Sequence, residues 1–484
     1  MEQFVNQLNG ILWSPVMIYL CLGVGLLFSI LTRFLQVRHL KNMVKLMFEE
    51  KGSDAGVSSF QALSLALSGR VGTGNIAGTA TAIAFGGPGA VFWMWVMAFI
   101  GAASAYVEST LAQIYKVKQD GQYRGGPAYY IEKGTGWKWY AVLFALSALL
   151  AVGLLMPGIQ SNSIAAGLEN AFDISPTVTG TILVVLLAVI IFGGVKRIAT
   201  VAQYVVPFMA LAYILLSIII IGMNIKELPE VITLIFRSAF ALDSVFGGIV
   251  GMAISWGVKR GIYSNEAGQG TGAHAAAAAE VSHPAKQGLV QAFSVYIDTL
   301  LVCSATAFMI LFTGTYNTQA PDGSYLVNNL GDIEPGPAYT QAAIETVLPG
   351  FGADFVAVAL FFFAFTTIMA YYYIAETNIA YLTRGKDNKI PMFILKIALL
   401  AATFYGAIKT AGLAWALGDV GLGIMVWLNI IAIVILAKPA LLALKDFEEQ
   451  KKQGLNPVFD PEKLGIKNAD YWVSEVKKDK ERVS

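Results

Sequence analysis

Long apolar runs alternate with short polar segments along most of the chain. The runs lie near residues 12–33, 57–85, 88–115, 138–170, 177–192, 198–222, 245–280, 286–313, 353–382, 390–408 and 413–437. About twenty apolar residues suffice for one helical crossing of a bilayer. The pattern therefore predicts an all-α polytopic membrane protein with about eleven transmembrane helices. Several runs exceed the minimum, which predicts tilt, breaks or interfacial ends. From Lys445 onward Lys, Glu, Asp and Gln dominate, and this stretch reads as a solvated tail. A transmembrane domain is expected over 1–440 and a hydrophilic cytoplasmic tail over 441–484.

The placement of charge orients these spans. The first run is preceded only by Glu2 and followed by no small-residue cleavage site, so it reads as a span and not as a signal peptide. Cations collect on inner segments of membrane proteins. Here they collect at Arg33, Arg38, His39, Lys41 and Lys45, then at Lys116, Lys118 and Arg124. They recur at Lys196 and Arg197, at Lys286, and at Arg384, Lys386 and Lys389 before the tail. Residues 314–352 carry no Lys or Arg and are expected outside; Lys226 and Arg237 are exceptions in another outer loop. The bias predicts an outer N-terminus and an inner C-terminus in the cell membrane.

Composition agrees. The chain is 56% hydrophobic and 13% charged, with a net charge of +1, whereas soluble domains are about 25% charged. That balance excludes an extended disordered protein and gives no footprint for nucleic acid. Cys21 and Cys303 lie in apolar spans as small buried hydrophobes, and His39, His274 and His283 form no ligand-spaced cluster. The absence of any Asn-x-Ser/Thr acceptor favours a bacterial or archaeal source.

Two spans carry glycine-rich interruptions. Ser68-Gly69-Arg70-Val71-Gly72-Thr73-Gly74-Asn75 lies in the second run, and Gly268-Gln269-Gly270-Thr271-Gly272 in the seventh. Each glycine weakens a helix by about 1 kcal/mol relative to alanine. Unwound backbone at membrane depth is tolerated only where it is buried in protein or lines a cavity. Close helix packing is the other use of small residues. Paired interruptions in two halves, however, point to a transporter binding site. The Gly-Thr-Gly-Asn stretch lacks the full glycine pattern and context of a dinucleotide fingerprint.

These residues and their neighbours resemble the alanine/glycine:cation symporter family. The resemblance rests on Gly86-Gly87-Pro88-Gly89-Ala90-Val91-Phe92-Trp93-Met94-Trp95 with Ala98, Gly101 and Glu108. It extends to Gly72-Thr73-Gly74-Asn75-Ile76-Ala77-Gly78, to Ser264-Asn265-Glu266-Ala267-Gly268-Gln269-Gly270, and to Phe365-Thr366-Thr367-Ile368-Met369 with Glu376. It covers about residues 12–437. The family implies sodium-coupled uptake of small neutral amino acids, with Na+ as the co-transported ion and no organic cofactor. It also implies the inverted five-plus-five helix fold of the leucine and neurotransmitter sodium symporters. The first span would then be an extra helix before repeats at about 57–222 and 245–437. Met369-Ala370-Tyr371 stands where the family often has Leu-Gly-Trp, and Gly101-Ala102 where it has Gly-Met. The first departure bears on the pocket wall, so serine and glutamine stand beside alanine and glycine as substrates.

Candidate roles follow from the chemistry of an amino acid. Its carboxylate is expected at the N–H groups near Thr73 and Gly74, where a helix N-terminus offers donors and a positive dipole end. Gly74 allows close backbone approach, and the wider fold implies Asn75 beside the substrate. The ammonium needs oxygens near Gln269, Gly270 and Thr271. Gln160 is a second polar candidate, with an interhelical hydrogen bond as its alternative. Sodium takes hard oxygen ligands. Thr366 and Thr367 either bond the preceding turn or, as the wider fold implies, meet backbone carbonyls near Ser68 and Val71. Glu108 is expected to accept N–H groups freed in a broken helix, in preference to proton transfer. Glu266 and Asp298 are gate or cavity candidates, and a proton-coupled variant stays open. Lys259 and Arg260 snorkel, pair with an acid or mark a bend. A channel would show rings repeated by oligomer symmetry, and a membrane enzyme would show a metal cluster, nucleophile elbow or phosphate loop; the sequence carries neither signature, and leaves monomer or oligomer open.

Overall fold

In lipid a helix pairs every backbone polar group within its own segment, and each apolar run accordingly forms helix. A computed structural model describes residues 2–49, 51–193, 195–243 and 245–474. The last ten residues of the expected tail, and the side chain of Lys196, lie outside the described residues. Among the described residues eight helices, against the eleven expected runs, are long and apolar enough to cross a membrane: Gln3–Leu31, Gly89–Ile114, Lys138–Phe172, Arg197–Met223, Pro284–Thr313, Gly352–Leu382, Lys389–Ala407 and Ala411–Ile435. Pro176–Ile191 is shorter. The two glycine-rich runs are each split, into Ser59–Arg70 and Thr79–Gly86, and into Val250–Asn265 and Thr271–Ala278.

Helix Gly89–Ile114 runs through the interior and is buried at every residue from Gly101 to its end. It packs on Pro284–Val295 and Val250–Asn265. Small residues set that approach: a Cβ at Gly257 would stand 2.6 Å from Trp93 Cβ. Peripheral helices instead expose large apolar side chains such as Val185, Phe208 and Ile394, the surface that lipid covers. Among the described residues three helices contain a widened π turn, at Gly74–Gly78, Ala151–Leu155 and Tyr296–Cys303.

The cation-rich segments gather at one end. Arg38 pairs with Glu448 at 2.8 Å, Arg124 with Glu376 at 3.0 Å, Lys133 with Asp470 at 2.5 Å and Arg384 with Glu132 at 2.6 Å. The antiparallel hairpin Val117–Gln119/Gln122–Arg124 lies there too. The opposite end carries helix Glu2–Leu12 and the hairpin Asn317–Gln319/Tyr325–Asn328. Thr318 Oγ1 donates to Ile83 O there at 3.1 Å.

The expectation of a solvated tail is corrected for the described residues. Helix Ala437–Lys452 buries Ala440, Ala443, Leu444 and Phe447. Farther on, Phe459 and Trp472 are buried, and the Trp472 indole N–H donates to Gln113 O at 2.8 Å. Lys116 Nζ lies 4.3, 4.7 and 5.1 Å from the ring centroids of Tyr123, Tyr471 and Trp472. A few widely spaced apolar side chains among many charges are enough to dock the segment, because docking needs buried area and not a continuous apolar run.

Candidate functional site

The first break follows from its glycines. Helix Ser59–Arg70 begins on a Ser58–Gln61 capping box and ends at Val71, whose backbone is extended (φ −76°, ψ 91°). The chain then crosses Gly72 and Thr73 before the π turn. Side-chain oxygens take the N–H groups that the break frees. Gly72 N–H donates to Asn75 Oδ1 at 2.8 Å, and Thr73 N–H donates to Gln160 Oε1 at 3.1 Å. Gln160 comes from helix Pro157–Phe172, and its Nε2 donates to the Tyr263 hydroxyl at 3.0 Å. From Gly352–Leu382, Thr367 Oγ1 donates to Val71 O at 3.5 Å and to Phe363 O at 3.0 Å. Thus Val71, Thr73, Asn75, Gln160 and Thr367 converge on one spot.

Other expected members sit differently. The hydroxyls of Ser68 and Thr366 bond the preceding turns of their own helices, to Leu65 O at 2.7 Å and Phe363 O at 2.9 Å. A Cβ on Gly74 would meet Tyr263 Cδ1 at 3.0 Å and Ser264 Cα at 3.1 Å, so its bare side faces the second broken helix. Met369 is fully buried on the same helix as the Thr pair.

At the second break Glu266, Gly268 and Gly270 take left-handed backbone (φ 56°, 84° and 87°). Glu108 Oε2 accepts the Gly270 N–H at 3.0 Å and Asn429 Nδ2 at 2.8 Å. Asn429 Nδ2 also donates to Gly268 O at 2.9 Å, and the Tyr130 hydroxyl donates to Asn429 Oδ1. Gln269 is buried, its Nε2 3.9 Å from Met156 Sδ, in the turn before Gln160. Thr271 shares a small niche with Glu266 and Gly69. The two broken helices are joined at Asp298, in the π turn Tyr296–Cys303. Its Oδ1 accepts Asn75 Nδ2 at 2.6 Å and Ser264 Oγ at 3.0 Å, while Oδ2 accepts Thr299 Oγ1 at 2.7 Å.

Three participants escaped the sequence reading. Arg70, one residue before the first break, is buried, with Nη1 donating to Gln291 O at 3.3 Å and to the Ser294 hydroxyl. Tyr263 orients Gln160. Asp419 accepts Lys259 Nζ at 2.6 Å and Arg260 Nη1 at 2.9 Å, which decides that these cations pair with an acid. A lone ionisable residue in an apolar run was the available signal for Arg70 and Asp419. Near this pair a cavity of about 470 Å³ opens at the end bearing Glu2–Leu12. Trp415 lines it, and the Tyr263 ring, 5.1 Å from Trp415, connects its wall to the first break.

Paired broken helices, one capped by side-chain amide oxygens and the other by a buried carboxyl, and met by a hydroxyl-bearing third helix inside an all-helical bundle, define a multi-pass membrane transport protein. Residues 1–461 match the sodium:alanine symporter family, and the chain belongs to it. A sodium/proton-dependent alanine carrier protein of Bacillus sp. (strain PS3) is 58% identical, covering 91% of this chain and 99% of its own. YrbD of Bacillus subtilis (strain 168), provisionally named a sodium/proton-dependent alanine carrier protein, is 76% identical over 100% of both chains. The sodium/alanine symporter AgcS of Methanococcus maripaludis is 37% identical, covering 93% and 97%. A crystal structure of an Eremococcus coleocola manganese transporter variant, 13% identical, matches over 83% of this chain and 88% of its own at a TM-score of 0.49, too loosely to place residues.

Proposed function

We propose that the chain is a symporter coupling sodium entry to uptake of small neutral amino acids such as alanine and glycine. It performs no covalent chemistry. The observation that carries this reading is the first break. Thr73 N–H is held by a neutral side-chain oxygen from another helix, directly beside the Val71 carbonyl and the Thr367 hydroxyl. A substrate carboxylate would take the Thr73 and Gly74 N–H groups in place of Gln160 Oε1, with Gln160 turning to contact the substrate and Asn75 beside it. Gln269, Gly270 and Thr271 would supply oxygens to the ammonium, and Met369 a wall for the side chain. Sodium would bind Val71 O and Thr367 Oγ1, completed by Ser68 and Thr366 once the latter hydroxyl turns from Phe363 O. Glu108 would brace the second break by holding the Gly270 N–H.

In this reading one N-terminal helix precedes two inverted five-helix repeats, over about 57–222 and 245–437, and a bundle rocks around the midplane site. The N-terminus lies outside and the docked tail inside. The family match and the names of its relatives support sodium and alanine. Two of those names also include protons, and buried Glu108, Glu266 and Asp298 give a proton reading a physical basis. Uptake of labelled alanine into proteoliposomes tests both. The sodium reading requires uptake to collapse when potassium replaces sodium. Uptake indifferent to that exchange but abolished by an uncoupler would replace it with proton coupling.

A further inference from the structure

The chain between the first span and the first broken helix carries a surface that the transport site does not use. Helix Pro15–Leu31 exposes Leu27, Ile30 and Leu31 to lipid. Arg33 and Phe34, both with left-handed backbone, then turn the chain at the cation-rich end. Two short helices follow, Leu35–Arg38 and Leu40–Leu46. One side of them packs inward: Leu35, Met43 and Leu46 are buried, and Gln36 O accepts the Tyr296 hydroxyl at 3.3 Å. The other side exposes Val37, Leu40, Val44 and Phe48, spaced three or four residues apart as one stripe. The stripe follows directly on the lipid-facing residues of the preceding helix. Residues 33–48 contain Arg33, Arg38, Lys41 and Lys45 and no Asp or Glu. Arg38 is occupied by Glu448 and by the carbonyls of Thr32 and Arg33. The next acid along the chain, Glu49, lies 3.8 Å from Lys286. Arg33, Lys41 and Lys45 are exposed and make no ion pair among the described residues. An apolar stripe flanked by cations is the make-up of a segment lying in the membrane interface, where unpaired cations meet lipid phosphates.

We infer that this elbow, residues 33–48, binds anionic phospholipid of the inner leaflet, and that the bound lipid steadies the inner half of the first broken helix. Lys41 and Lys45 stand one turn apart, each next to a residue of the stripe. Their ammonium groups reach the headgroups while Leu40, Val44 and Phe48 enter the acyl region. Arg33 adds a planar fork that matches a phosphate. A zwitterionic lipid offers the same phosphate, but its own ammonium offsets the charge, so the surplus cations favour an anionic lipid. The link to transport is Phe48, whose ring stacks on that of Phe60 at 5.4 Å. Phe60 lies in the first turn of helix Ser59–Arg70, which carries Ser68 and leads into Val71. A lipid that holds the stripe therefore holds the start of that helix. The elbow is separate from the solute site, so the inference stands whichever amino acid or ion is carried.

Lipid retention is read by native mass spectrometry of the purified full-length protein in neutral detergent, with dioleoylphosphatidylglycerol or dioleoylphosphatidylcholine added. The expected result is preferential retention of phosphatidylglycerol. Each cation at an anionic surface contributes about fivefold in affinity. Arg33→Gln, Lys41→Gln and Lys45→Gln combined should therefore weaken phosphatidylglycerol binding by at least roughly tenfold and leave phosphatidylcholine binding unchanged. Arg33→Lys, Lys41→Arg and Lys45→Arg combined keep the charge and should keep the preference. Lys226→Gln, an exposed cation outside the elbow, should leave it intact. Coupling is read by hydrogen exchange in 59–70, in nanodiscs of phosphatidylcholine alone and of equal parts phosphatidylcholine and phosphatidylglycerol. Phosphatidylglycerol should slow that exchange in the wild type and leave it unmoved in Phe48→Ala. Equal retention of the two lipids by the wild type overturns the inference. So does a preference that survives the combined glutamine substitutions, or one that is lost equally in the charge-conserving variant. Exchange in 59–70 that ignores phosphatidylglycerol in the wild type, or follows it equally in Phe48→Ala, overturns the coupling.

Discussion

Gly72→Ala places one methyl group where the proposed sodium ligands and the substrate cap meet. A Cβ at Gly72 would stand 3.1 Å from Gln160 Oε1 and 3.3 Å from Thr367 Cβ, and would overlap Thr367 Oγ1 outright. To make room, Thr367 must rotate away from Val71 O or the backbone must shift. Overpacking of this kind costs about 1–3 kcal/mol, which corresponds to roughly 5–150-fold in an equilibrium constant. The cost falls on the arrangement that holds the cation, so the sodium concentration for half-maximal uptake should rise by about that factor. Gly78→Ala is the matched control six residues on. Its Cβ would meet nothing closer than 3.8 Å, and its backbone is already helical. It should leave sodium dependence unchanged and stabilise the segment by up to about 1 kcal/mol. The assay is initial-rate uptake of labelled alanine into proteoliposomes across a sodium series, with thermal unfolding of each variant in parallel. A Gly72→Ala protein with wild-type sodium half-saturation would refute the reasoning, as would a Gly78→Ala protein equally impaired.

Three further outcomes are expected. Thr367→Val keeps the side-chain shape and removes the hydroxyl; sodium half-saturation should rise by about tenfold before amino-acid selectivity changes, read from the same sodium series with competing amino acids. Glu108→Gln puts an amide, one of whose two terminal atoms can no longer accept, where a carboxyl oxygen is shared by Gly270 N–H and Asn429, and should lower stability by about 1–3 kcal/mol in thermal unfolding of the detergent-solubilised protein. The docked tail should be acid-labile. Burial alone would raise the carboxyl pKa values of Asp446 and Glu448, but hydrogen bonds from His283 and Gln450, and from His39 and Arg38, outweigh it and hold both below the usual range. Depressed values mean that the contribution is fully present above about pH 4–4.5, the unfolded carboxylate range, and is lost as pH falls through the lower folded values. Protection of the amides in 437–452, measured relative to their intrinsic exchange rate at each pH, should therefore fall on acidification below that range, and Glu448→Gln should flatten the response.

The spans were legible because bilayer thickness fixes how long an apolar run must be, and nothing else in the chain competes with that constraint. Both breaks were legible through their glycines: Gly268 and Gly270 adopt left-handed backbone that favours glycine, and Gly72 leaves room for Thr367 where a Cβ would overlap its hydroxyl. Detail within the site was less so. Ser68 and Thr366 carry the same hydroxyl chemistry as Thr367, but only Thr367 reaches Val71 O, and which neighbour on a helix faces the break depends on rotation that composition does not encode. Asp419 and Arg70 were overlooked because each stands alone in its run, with partners over a hundred residues away. The tail misled because its apolar anchors, Phe447, Phe459 and Trp472, are outnumbered by charges, although three such side chains bury enough surface to dock it.

The widened turns carry a consequence for phase. A π turn accommodates one residue more than an α turn, so everything beyond it is rotated by about 100° relative to an unbroken helix. Asn75 and Asp298 both lie inside such turns and bond each other. Removing a single residue from 299–302 would restore regular winding and swing Ser304, with its bond to Trp95 Nε1, onto a different face. In these helices the count of residues is itself a coordinate of the site, and a one-residue deletion there would do more harm than most substitutions.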